Sequence, residues 1–173
     1  SDVLRLVIPK RQVRVEKAWT ADSPIPQPTP EGREDAASVV ELYDGLQAVL
    51  EESGRAAVEA IPQLTDDTPG WARMLAAAAA STLAAGRSSI LVVPDHRDLD
   101  RLLAALDAFV PAEAIARHDS RQTNPDRYRS FLRTLEDAPC IVVGNRSAVY
   151  APVVAGLVAV WDDGDSLLGE PLA

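Results

Sequence analysis

An α/β fold built on a parallel sheet, with helices on both faces, is predicted by three observations. Continuous apolar runs recur at residues 89–93, 140–143 and 157–161, the pattern of strands buried on both faces. Helical spacing fills the intervals, at 71–85, 97–109 and 124–135. The order strand, helix, strand, helix, strand is that of crossover connections, which bring successive strands parallel.

The elements follow in order. Val3-Leu4-Arg5-Leu6-Val7-Ile8 reads as a short strand that Pro9 stops. Residues 20–34 hold Pro24, Pro26, Pro28 and Pro30 in a polar setting, an extended linker. From 35 to 52 the apolar positions Val39, Val40, Leu42, Tyr43, Leu46, Val49 and Leu50 keep helical spacing, and Gly54 stands where a C-cap is expected. Residues 58–61 are a short strand candidate. The Ala-rich stretch 71–85 is a helix closed by Gly86. In 97–109, Leu99, Leu102, Leu103 and Leu106 share one side. A strand is expected near 114–116. Asn124 reads as an N-cap with Pro125 at N1, opening a helix through Leu135. No internal repeat or heptad pattern interrupts this order.

A chain of 173 residues, 47% hydrophobic, fits one lobe with an appended segment. Its formal net charge of −9 argues against a generic polyanion binder. Two stretches run against that charge. Residues 1–17 carry five bases against two acids, and residues 117–133 carry five more (Arg117, Arg121, Arg127, Arg129, Arg133) against two. Such patches bind phosphate or are solvated faces. A single cysteine, Cys140, excludes an internal disulfide and a Cys-built zinc site within these residues, and reads as a buried strand thiol. No apolar run reaches membrane-spanning length and no signal-peptide pattern opens the chain, so the cytoplasm and no membrane partner are expected. The sequence stops just past a strand and its acidic loop, which suggests one lobe of a longer protein.

In a parallel α/β sheet, chemistry gathers at the carboxyl ends of the strands. Loop 62–70 precedes the first long helix, where a phosphate loop would lie. It has one glycine, and Asp66 and Asp67 would repel a triphosphate. No lysine follows Lys17, so no Gly-rich loop ending in Lys-Ser or Lys-Thr exists here. The plain reading is a connecting loop whose acids favour the next helix N-terminus. In loop 94–98, Arg97 could reach a phosphate while Asp95 or Asp98 caps the helix; a capped turn without chemistry is the alternative. His118-Asp119-Ser120 invites a triad, but contiguous side chains diverge where a triad needs convergence, and no Gly-x-Ser-x-Gly elbow exists. Loop 144–152 is richer. Gly144 permits close backbone approach, and Arg146 and Ser147 are phosphate-capable donors, suited to a nucleic-acid backbone. A surface turn with solvent-facing arginine is the alternative. Asp162, Asp163 and Asp165 end the last strand in the manner of Mg²⁺-holding acids, without a phosphate loop to serve.

Together these segments resemble one family, the primosomal replication-restart helicases of the PriA type, and most of all its actinobacterial branch, whose Ala/Arg-rich, lysine-poor composition also fits. The resemblance covers about residues 40–170. Gly144-Asn145-Arg146-Ser147-Ala148-Val149-Tyr150-Ala151-Pro152 resembles the family's Gly-Thr-Arg-Ser-Ala-x-Phe-x-Pro motif. Val92-Val93-Pro94-Asp95 is similar to its Val-Pro-Glu motif, and Arg117-His118-Asp119-Ser120 to its Leu-His-Ser segment. Val160-Trp161-Asp162-Asp163-Gly164-Asp165 sits where active members have Asp-Glu-Glu-His.

The resemblance implies a RecA-like helicase lobe of P-loop NTPase type at 35–173, its phosphate loop degenerate. Residues 20–34 would be the Pro-rich linker and residues 1–19 the tail of a preceding DNA-binding region. It implies binding of stalled or branched fork DNA and single-stranded DNA, partnership with primosome proteins and the replicative helicase or its loader, and two zinc ions held by cysteines outside these residues. With the phosphate loop replaced and the acidic box lacking its Glu and His, ATPase and helicase activity are expected to be lost and ATP with Mg²⁺ is doubtful. The implied DNA contacts are Gly144, Arg146, Ser147 and Arg97, while Asp162 and Asp163 are a relic of the metal-binding acids. The alternatives are an active ATP-dependent 3′–5′ helicase with an unorthodox nucleotide site, and a protein-binding primosome scaffold.

Overall fold

The computed structural model describes residues 8–19, 26–60, 64–65 and 68–162. Its centre is a four-stranded, all-parallel sheet: β3 (Ser88–Val92), β4 (Ile115–His118), β5 (Ile141–Gly144) and β6 (Ala155–Val160), in the order β4-β5-β3-β6. Ile90 pairs with Val142 on one side and Val158 on the other, and Ala116 pairs with Val142. The predicted α/β class and parallel strands are thus observed.

Both faces of the central strands are covered, unequally. Leu91, Val93, Ile141 and Val143 face a large core. Over them lie α2 (Pro30–Glu41), α3 (Leu46–Glu52), α4 (Gly70–Ala84) and α5 (His96–Leu106). The alanines of α4 let it sit close: Ala72, Ala76, Ala77 and Ala79 are fully buried. Phe109, just past α5, fills the same core. The opposite face buries Ile90, Val92, Ala116, Cys140 and Val142 under the 3₁₀ turn Arg146–Tyr150, with α6 (Asn124–Thr134) packed along β4. A short N-terminal helix, α1 (Val13–Ala18), rests on α6. Val15 is buried there, and Trp19 Nε1 donates to Glu136 Oε1 at 3.0 Å.

Several boundaries differ from expectation, each for a local reason. The linker ends earlier than residue 34, because Pro30 opens α2. The Thr29 hydroxyl accepts from the Gly32 N–H at 3.0 Å, and proline needs no partner for its missing N–H in a first turn. The helical spacing over 35–52 is two helices, broken at 42–45 where Gly45 takes φ +75°. Ser53, rather than Gly54, holds the left-handed position after α3. Residues 58–60 form no strand. The N-cap of α6 is Thr123, whose hydroxyl accepts from the Asp126 N–H, so Asn124 is its first residue. Strand β6 is not buried on both sides: Val158 and Val160 are 58% and 54% exposed, because the turn at 146–150 does not reach over them. Residues 3–7 of the strand expected at 3–8 and the acids Asp66, Asp67, Asp163 and Asp165 lie outside the described residues, and Ile8 is in no strand.

Candidate nucleic-acid interface

The carboxyl ends of β3, β4 and β5 are bound into one surface. Where β3 ends, Asp95 caps α5 by accepting from the Asp98 N–H at 2.9 Å. That bond, above all, holds the Asp95 carboxyl below its ordinary range. Arg97, in the first turn, has an 84% exposed side chain and reaches Asp95 at 3.5 Å. Where β5 ends, Asn145 Nδ2 donates to the carbonyl oxygens of Val93 and Pro94 at 3.1 and 3.2 Å. This amide ties the loop bearing Gly144, Arg146 and Ser147 to the loop bearing Arg97. Gly144 is required: a Cβ there would collide with the His118 carbonyl at the end of β4 and crowd Ala148. Beyond it Ala148 is buried, Arg146 is exposed and Ser147 half-buried. The Arg-Ser pair therefore opens a turn whose far side is anchored in the core.

Asp119 fastens the third strand end. Its carboxylate is fully buried yet charged. Arg117 donates to it, as do Arg121 Nε and the Arg121 backbone N–H, both at 3.0 Å. His96 Nδ1 lies 3.6 Å away, so Asp119 also reaches the loop after β3. Burial pushes this carboxyl upward, but the two arginines and the backbone N–H win, and its pKa falls to about 2. Arg121 turns its other edge to Asp100, at 2.7 and 3.1 Å. His118 points elsewhere, lining a small hollow with Phe131 and Pro152, and burial foremost, then Arg127, lowers its pKa. Asp119 thus serves its own loop's arginines rather than a triad. Sequence reading missed Asn145 and Asp119 as organisers. The alternation Arg117-x-Asp119-x-Arg121 was the available signal for the latter.

The place of a phosphate loop is occupied differently. Instead of a plain connecting loop, β1 (Leu64–Thr65) and β2 (Thr68–Pro69) form a small antiparallel ribbon leading straight into α4. Helix α4 opens Gly70-Trp71-Ala72. Against a pattern ending Gly-Lys-Ser/Thr, tryptophan stands at the lysine and alanine at the hydroxyl. Trp71 is buried and stacks on Trp161, with ring centroids 4.7 Å apart and planes within 6°. Trp161 directly follows β6, its N–H donating to the Val92 carbonyl at 2.9 Å. The two indoles fill the space between helix start and strand end. Asp162 lies exposed just beyond.

These residues do not fit the donor set of a magnesium nucleotide: Trp71 and Ala72 stand at the lysine and hydroxyl positions of the pattern, and the Trp71 indole is stacked on Trp161. Nor do they fit zinc. The sole cysteine is buried in the sheet with its thiol raised by burial, and no group of three potential ligands occurs among the described residues. Among those residues no helix is long and apolar enough to cross a membrane.

Fold and strand-end surface define a RecA-like α/β lobe whose first long helix opens Gly70-Trp71-Ala72. In sequence the chain matches a segment of replication restart proteins of the PriA type. It is 37% identical over 175 residues to the "Probable replication restart protein PriA" of Mycobacterium leprae (strain TN), and 37% identical over 174 residues to the protein so named in Mycobacterium tuberculosis (strain ATCC 25618 / H37Rv). Each match takes in 99% of this chain and 26% of the relative, so the chain spans about a quarter of the length of the curated relatives it matches. No family model matches, and no solved structure matches.

Proposed function

We propose that this lobe acts in replication restart as a DNA-facing scaffold that does not hydrolyse nucleotide. The observation that carries the proposal is the turn Gly144-Asn145-Arg146-Ser147, held by the Asn145 amide against the loop bearing Arg97. Two cationic side chains on neighbouring, mutually braced loops suit the backbone of a stalled or branched fork, or of single-stranded DNA, because phosphate contacts need charge and fixed position more than base chemistry. The curated relatives' shared name supports the restart role. Primosome proteins and the replicative helicase or its loader are the partners this role implies, in the cytoplasm. Residues 1–19 serve as the tail of a preceding DNA-binding region, and any zinc is held by residues other than these.

The test is fork-DNA affinity of the full-length protein against salt concentration, for wild type and Arg146→Ala. Loss of one phosphate contact lowers affinity and reduces the salt slope by about one unit. Superimposable curves would remove Arg146, and with it the proposed interface.

A further inference from the structure

We infer that the groove at the break between α2 and α3 is a protein-docking site for a basic segment carrying an apolar anchor. The break at 42–45 turns Leu42 outward, where it is 66% exposed. With Val49 of α3 and Val58 of the returning strand-free stretch, Leu42 lines a groove of about 380 Å³. A single exposed leucine is ordinary. Three apolar side chains around one groove, rimmed by charge, are an anchor pocket with a polar rim, the anatomy of a protein interface.

The rim names the partner. Asp44 and Glu59 line the groove, and Glu41 adjoins Leu42 on the exposed side of α2. Residues 30–60 hold eight acids against two arginines, Arg33 and Arg55. Among the described residues, none of Glu41, Asp44 and Glu59 makes an ion pair. Among the described residues the rim carboxylates are therefore uncompensated, in contrast to Asp119 and Asp100, which are paired with arginine. Such a field repels a phosphate backbone and attracts lysine and arginine. An apolar floor under an acidic rim selects a peptide that places a leucine-like side chain between basic ones. The groove lies on the helical layer, apart from the strand-end loops, and its role stands or falls independently of DNA binding.

The probe is a short fluorescein-labelled peptide of repeating Leu-Lys-Lys-Leu, with a Gly-Lys-Lys-Gly repeat of equal charge as its control. Binding to the full-length protein is followed by anisotropy at about 0.15 M salt, where long-range attraction is screened. Leu42→Ser should weaken the leucine peptide at least about tenfold without changing thermal stability, because the side chain is exposed. Asp44→Lys with Glu59→Lys should do the same. Asp107→Lys with Glu113→Lys, an equal charge change on another surface, should leave affinity within about twofold. The proposal is overturned if the glycine peptide binds as well, if the two double reversals weaken binding equally, or if Leu42→Ser is silent. It is also overturned if Leu42→Ser abolishes a self-association of the protein, since the occupant would then be a second copy.

Discussion

The substitution Asp119→Asn should cost stability in a pH-dependent way that can be worked from the surroundings of the carboxylate. The carboxyl titrates at about 2 in the folded protein against an ordinary 3.8. At roughly 1.4 kcal/mol per pH unit, ionisation of Asp119 contributes about 2.5 kcal/mol to folding at neutral pH. Because the folded pKa is the lower one, that stabilisation is present above pH 3.8 and is lost as pH falls toward 2. Roughly half should be gone by about pH 3. A neutral amide in its place would also leave the Arg117 charge without its buried partner, at a site where Arg117 Nε already lacks an acceptor. The total loss at pH 7 should therefore exceed the ionisation term and reach about 3 kcal/mol. Urea denaturation of wild type and variant at pH 7, 5 and 3 measures it. The gap should be constant from pH 7 to 5 and shrink by about 1 kcal/mol at pH 3. A gap below about 0.5 kcal/mol at pH 7, or one that does not narrow in acid, would refute the picture of a charged, buried Asp119 holding the loops.

Other substitutions probe the remaining supports. Trp71→Ala should destabilise the lobe by about 3–5 kcal/mol in denaturant titrations, since it removes a buried, stacked indole; a loss under about 1 kcal/mol would mean the pair does not fill the space. Gly144→Ala should cost about 1–3 kcal/mol and lower the melting temperature, because the new methyl must displace the His118 carbonyl or Ala148. Cys140, 1% exposed and with its thiol raised by burial, should resist thiol reagents in the native protein and react at the rate of unfolding in urea; fast native labelling would place it at the surface.

Much of the fold could be read from residue patterns because packing acts on them directly. Strands β3 and β5 are interior, so their central residues are apolar on both faces and the run is unbroken. Helix α4 announced itself through its alanines. What misled was local chemistry serving a different element. Pro30 reads as linker among its neighbouring prolines, yet with Thr29 before it, it starts a helix. Val58 has strand propensity but no strand beside it to pair with. Strand β6 looks interior by composition, although half of it faces outward. At the site, Gly144, Arg146 and Ser147 were legible because a short motif carries them. The Asn145 bridge, the Asp119 hub and the Trp71–Trp161 stack were not, since each joins residues distant in sequence and depends on how the sheet places the loops. The missing lysine told that a phosphate loop was absent. Only the structure shows that Trp71, at the start of α4, stacks on Trp161 at the end of β6.

The most direct test of the central claim is ATP hydrolysis by the full-length protein in the presence of fork DNA. With Trp71 and Ala72 in place of the lysine and hydroxyl of a phosphate loop, turnover should stay at background with or without DNA, and should not change in Asp162→Ala. DNA-stimulated hydrolysis that disappears in Asp162→Ala would contradict the account.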